Sequence, residues 1–259
     1  MKRFNNGRVL LVIVFGGLFF FNTVLRAAEN GIPFKPGEKM EFQVKWAFIP
    51  AGTAEFSVLP IEKIDGEDAF HFVYTARTND YIDKIYKVRD RIDSFARADM
   101  THAILYKKQH DGKTKKKVTV SFDWTVKEAQ YSIFGEKIDP VSVLPGTFDP
   151  LSVFYFFRLH RLDEIVEIKA PVTDGKKCII GTARVIRREM IEVANQSYDT
   201  YLVEPEIEEV GGVFNKSNNA RLQMWVTADD RHIPVRIKSR VMVGNFVAEL
   251  VSFTDGNTD

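Results

Sequence analysis

The stretch "DPLSVFYFFRLHRL", residues 149–162, sets how the rest of this 259-residue chain is read. It opens as a helix opens: Asp149 can cap the first turn and Pro150 suits the first helical position. It closes on Arg158, His160 and Arg161, cations where a helix C-terminus favours them. Between those ends Leu151, Val153, Phe154, Tyr155, Phe156, Phe157 and Leu159 are not confined to one stripe. A surface helix keeps its apolar residues on one side, so this one is expected to be covered on more than one side. At roughly 1.5 Å per residue the segment spans about 20 Å, too short for a bilayer.

What surrounds this helix reads in period 2. Met40, Phe42, Val44, Trp46 and Phe48 alternate with Glu41, Gln43, Lys45 and Ala47, and Phe70, Phe72, Tyr74 and Ala76 repeat the pattern. "KVRDRIDSFAR" at 87–97 reads as a polar strand near an edge or facing a wet interior. "AILYKKQH" and "KKVTVSFDW" flank "DGKTK", a hairpin signal. The segments after residue 162 continue in the same manner, which gives roughly ten to thirteen strands set apart by Gly, Pro, Asp and Asn turns. "NDYIDKIY" at 79–86 adds at most one helical turn. Parallel sheets need a helix between successive strands, and none is available. The expected fold is mainly all-β: a single antiparallel sheet, strongly curved or rolled into a partly closed barrel, with one buried helix. No repeat or linker divides residues 28–259, so one β-rich domain is expected there.

Residues 1–27 are set apart from the fold. Lys2, Arg3 and Arg8 precede the apolar run "VLLVIVFGGLFFF" (9–21), and small residues follow at Ala27 and Ala28, the pattern of a secretory signal peptide. Cleavage after Ala27 is favoured, with retention as an anchor the alternative. Cleavage removes four basic residues and no acidic one, which takes the formal net charge from +1 to −3. Nucleic acid favours a basic domain and is excluded as an expected partner. The single cysteine, Cys178, leaves no lipid-attachment cysteine near the signal and no internal disulfide. It reads as a buried small hydrophobe. A soluble periplasmic protein is the expected form.

Signatures of catalysis are missing. There is no G-x-S-x-G, S-x-x-K, H-E-x-x-H or C-x-x-C. His71, His102, His110, His160 and His232 lack ligand spacing, so no metal or cofactor is expected. Asp90 and Asp93 have opposite strand parity and cannot act as a pair. "EPEIEE" (204–209) reads as a solvated acidic loop rather than a Ca²⁺ site. Lys107, Lys108, Lys113, Lys115, Lys116 and Lys117 crowd one hairpin. They are solvated, guard a sheet edge, or touch anionic lipid or lipopolysaccharide phosphates at the periphery. No enzyme is expected.

Three blocks resemble a known family. "FKPGEKMEFQVKWAFIPAGTAEFSV" (34–58), "DPLSVFYFFR" (149–158) and "DDRHIPVRIKSRVMVGNFVAELVSF" (229–253) are similar, in this order, to bacterial domain-of-unknown-function family 3108. The resemblance implies an exported envelope protein and supplies no catalytic residue to carry over. Within it, the expected role is to bind a hydrophobic ligand, a lipid or acyl chain, inside the curved sheet. Trp46, Phe154, Phe157 and Trp225 are the candidate lining. The alternative is a periplasmic scaffold for other envelope proteins, with a filled interior and an exposed apolar patch; an unrecognised hydrolase comes last.

Overall fold

The computed structural model describes residues 31–206, 221–241 and 244–256; the expected signal peptide and the second half of the acidic loop (207–209) lie outside them. Among the described residues, period-2 patterning is realised in fifteen strands. They are β1 (Glu38–Trp46), β2 (Ile49–Ile64), β3 (Glu67–Thr78), β4 (Arg89–Arg97), β5 (Ala103–Asp111), β6 (Lys115–Asp123), β7 (Glu128–Ile133), β8 (Glu136–Lys137) and β9 (Val141–Ser142) in the first half. The second half holds β10 (Glu167–Thr173), β11 (Cys178–Val193), β12 (Gln196–Pro205), β13 (Arg221–Thr227), β14 (Pro234–Val241) and β15 (Gly244–Asp255). Two short helices complete the described chain, α1 (Asp80–Asp83) and α2 (Ser152–Phe157).

The strands form one antiparallel sheet in the order β10-β11-β12-β13-β14-β15-β1-β2-β3-β4-β5-β6-β7-β8, with β9 against β7. The chain enters in the middle at β1 and meanders out to β8. It then crosses to the opposite edge at β10 and meanders back until β15 pairs with β1. Nothing pairs β8 with β10, so the barrel stays open at that seam. The crossing segment lies against it, with Phe148 in a parallel bridge to Val172, and at Gly175 of the β10–β11 turn a Cβ would meet the Val120 and Tyr131 side chains. The edge strand β10 carries Pro171, whose missing N–H suits an edge position.

Because α2 belongs to this crossing segment, it lies inside the curl between β10 and β4. That explains its all-round apolarity. It is shorter than the sequence predicts, six residues, with turns on both sides. Asp149 still caps it, accepting hydrogen bonds from the N–H groups of Leu151 (2.8 Å) and Ser152 (3.0 Å). The expectation for Arg158 fails. Rather than meeting the helix terminus in solvent, it turns into the core and is 1% exposed. The expected edge position of the polar strand fails as well, since β4 is flanked by β3 and β5. Its acids are tolerated there because partners lie on neighbouring strands: Asp90 with His110, Asp93 with His71. Cys178 is half-buried rather than buried, with Sγ 3.5 Å from the Thr147 hydroxyl.

Candidate functional site

The centre of the curl is a stack of rings. Tyr155, fully buried on α2, stacks on Phe72 of β3 with centroids 3.9 Å apart and meets Phe34 edge-on at 5.1 Å. Phe154 stacks on Phe56 at 5.0 Å, and Phe156 packs on Phe148 at 4.6 Å. Such offset and edge-to-face contacts are how close-packed aromatic cores fill space. α2 therefore occupies the volume in which a cargo would sit.

A polar network runs through this packing. The Arg158 guanidinium donates to both carboxylate oxygens of Glu38, at 2.6 and 2.9 Å, and its Nε donates to the Arg231 carbonyl at 2.9 Å. Both charged side chains are 1% exposed. The guanidinium also lies over the Phe34 and Tyr155 rings at 5.4 and 5.6 Å. Its backbone carbonyl faces His232 Nδ1 at 3.2 Å. At the other end of α2, the buried Asp149 carboxylate accepts from the Ser94 and Ser152 hydroxyls, both at 2.6 Å. Burial pushes its carboxyl up from the usual range, and the hydrogen bonds from Ser152, Ser94 and Leu151 act against that rise. Burial also pushes the Tyr155 phenol up, and its oxygen has no hydrogen-bond partner. Apart from the Tyr155 hydroxyl, these groups are hydrogen-bonded, and all are buried. They hold the helix in place.

Of the four predicted lining residues, three join the core, with Phe154 between the clusters that hold Phe157 and Trp225. Phe157 is buried with Tyr201, Val203, Met224 and Val226, and Phe154 packs against both this cluster and the central one. Trp225 is buried in the central cluster, against which Phe154 also packs; its Nε1 donates to Glu189 at 2.8 Å, and the Lys238 ammonium sits 5.0 Å from its ring. Trp46 is the last residue of β1 and is partly exposed. It stacks on its cross-strand neighbour Phe246 at 6.2 Å, and Gly244 is small enough to admit its Nε1. The sequence reading missed Glu38 and Arg158. The signal lay in an arginine that directly follows a run of four aromatic residues.

Outside the sheet, an open groove of about 380 Å³ lies beside the β1–β2 turn, lined by Lys45, Phe48, Arg236, Lys238, Val247 and Glu249 among others. Glu249 accepts from Lys45 (2.8 Å) and from Arg236 (2.8 and 3.0 Å), so the cations outnumber the anion. These cations hold its carboxyl below the usual range against the opposing effect of burial.

Comparison with known proteins agrees with this architecture. The fold resembles the crystal structure of a beta-barrel-like protein of domain of unknown function DUF1849 from Brucella abortus, with a TM-score of 0.53 and 9% identity over 85% of this chain and 98% of that one. At such identity the likeness is one of fold alone. No curated protein matches the chain. The model of a family described as "Protein of unknown function (DUF3108)" matches residues 41–251, a stretch that takes in α2 and almost the whole of the sheet. The chain belongs to the DUF3108 family.

Proposed function

We propose that this protein is an exported, non-catalytic binding protein of the cell envelope that acts through its outer surface, as a scaffold or assembly factor. The observation that carries the reading is the placement of α2: Tyr155, Phe154 and Phe156 pack where an acyl chain would have to lie. The hydrogen bonding of the buried charges supports it further, since Glu38 is engaged by Arg158 and Asp149 by the Ser94 and Ser152 hydroxyls. The signal-peptide pattern of residues 1–27 and the missing lipid-attachment cysteine favour a mature periplasmic chain that starts at Ala28. The second reading, carriage of a hydrophobic ligand inside the curl, retains one observation: Phe154 is only partly buried between two core clusters. Native mass spectrometry and lipid extraction of the protein taken directly from cells separate the two. The expected result is a bare chain that begins at Ala28. A stoichiometric acyl ligand whose retention drops in a Phe154→Ala variant would restore the carrier reading.

A further inference from the structure

Successive hairpin tips at the two ends of an antiparallel sheet can be compared directly, and here they differ. One end carries the β2–β3 tip at Asp65-Gly66, the β4–β5 tip with Asp99, and the β11–β12 tip at Ala194-Asn195. Aspartate, asparagine and glycine are the residues tight turns ask for. The other end carries the tips after β1, β3, β5, β7 and β10 and the loop opened by Glu206; the tips after β5 and β10 hold the ordinary turn residues Asp111-Gly112 and Asp174-Gly175, whereas those after β1, β3 and β7 expose apolar side chains. At the β1–β2 tip Phe48 is 86% exposed. Its neighbour Ala47 takes a φ of 55°, where a two-residue hairpin ordinarily places glycine. Turn chemistry accounts for neither residue.

The tips at this end are fastened together. The Asn79 N–H and side-chain amide donate to the carbonyls of Ala51 (2.9 Å) and Pro50 (2.8 Å), which ties the α1 loop to the start of β2. On that loop Tyr81, Ile85 and Tyr86 are 65%, 62% and 54% exposed. Gly112 of the β5–β6 tip abuts the Lys87 carbonyl, and Phe134 of the β7–β8 tip donates its N–H to the Lys117 carbonyl. Phe134 is 61% exposed. Lys84, Lys87, Lys113, Lys115 and Lys116 are all exposed among these rings. Against them stand Asp80, Asp111, which reaches Lys115 at 3.8 Å, and Asp83, which Arg89 holds at 2.5 Å. The lysines do not guard an edge, because β5 and β6 are flanked by β4 and β7.

We propose that this end of the sheet docks on the surface of an anionic phospholipid bilayer, with Phe48, Tyr81, Ile85 and Tyr86 entering the interface and the lysines facing lipid phosphates. Aromatic and aliphatic side chains interleaved with lysine are what such an interface accepts, and charge complementarity selects it over an uncharged partner. The groove cations Lys45, Arg236 and Lys238 flank Phe48 and extend the same positive face. The proposal deepens the surface-acting reading above by naming its partner.

Vesicle co-sedimentation of the mature chain tests it, with phosphatidylcholine vesicles compared to vesicles that also contain phosphatidylglycerol. Binding is expected only to the anionic vesicles and is expected to weaken as salt rises. A Lys113→Glu, Lys115→Glu, Lys116→Glu variant should partition about fivefold more weakly for each lysine lost. A Phe48→Ser, Tyr81→Ser, Ile85→Ser variant, checked to melt as the parent does, should lose retention. Val126→Ser, which alters an exposed residue of the opposite end, should leave binding unchanged. Absence of binding to anionic vesicles at low salt overturns the proposal, as does binding that ignores both sets of changes. So does a concentration-dependent dimer abolished by the Phe48 variant, which would make a second copy of the chain the occupant. The lipid-extraction result reports on the interior and stands independently of any of these outcomes.

Discussion

At the scale of single residues, the most informative pair is Glu38 and Arg158. Two unit charges removed from water carry a desolvation cost of several kcal/mol each, which only close geometry and extra hydrogen bonds offset. Here the geometry is bidentate, the Arg231 carbonyl takes a third donor, and two rings face the guanidinium. Removing one partner leaves the other charged and unpaired. Glu38→Ala should therefore lower stability by about 3–5 kcal/mol, read as a shift in the urea midpoint. A Glu38→Leu, Arg158→Leu double variant should be more stable than the sum of the single changes requires. Tyr155 makes the opposite case. Its hydroxyl is buried without a partner, so Tyr155→Phe should leave the melting temperature unchanged or raise it, by no more than about 1–2 kcal/mol of stability. A clear loss of stability in that variant would show that the hydroxyl is hydrogen-bonded after all.

At the scale of elements, α2 is held by its first turn and its last. Asp149 was legible in the sequence as a cap, because the residue type and the following proline announce it. What it does besides capping was not legible: its carboxylate also holds the Ser94 hydroxyl of β4, fifty-five residues away in sequence. Asp149→Ala should cost about 1–3 kcal/mol, the cap together with a buried serine left unpaired. Phe157→Ala should cost about 3–5 kcal/mol, since its ring fills a pocket among Tyr201, Val203 and Met224 that cannot readily collapse. Thermal unfolding of the two variants checks both values. An unchanged melting temperature for Phe157→Ala would place the ring in solvent. The strands were legible by alternation, as at Met40 and Phe42 of β1, which are buried while Glu41 between them is partly exposed, but the same alternation placed Phe48 in the strand, and it lies exposed in the turn. The position of β4 was not. Alternation reports which face of a strand is apolar, whereas the histidine partners of Asp90 and Asp93 come from other strands, with Arg91 of β4 itself adding to Asp93.

At the scale of the whole molecule, the three sequence blocks that carry the family resemblance meet at one point. Glu38 lies in the first, Arg158 in the second, and Arg231 and His232 in the third. Packing around this point sets a pH response. Burial holds His232 and His160 below the usual histidine value of 6.5. The unfolded chain then binds more protons than the folded one between the depressed values and 6.5, so stability rises with pH through that window and is lost on acidification below 6.5. Urea midpoints measured on either side of pH 6.5 should show this loss, and a His160→Gln, His232→Gln variant should flatten it. An unchanged slope in that variant would move the titration to other groups.

The sequence by itself determined the fold class, the family, the existence of the buried helix and the absence of catalytic motifs. Each of these is written in local pattern: period-2 alternation, a cap followed by apolar residues on every side, motifs absent at their required spacing. Only the tertiary structure decided where the chain crosses the sheet, which strands are edges, and which of Trp46, Phe154, Phe157 and Trp225 share a space. It also decided that Arg158 turns inward to Glu38 and that apolar hairpin tips gather at one end. These are relations between residues far apart in the chain. They follow from the order of strands in the sheet, which alternation along any one strand cannot encode.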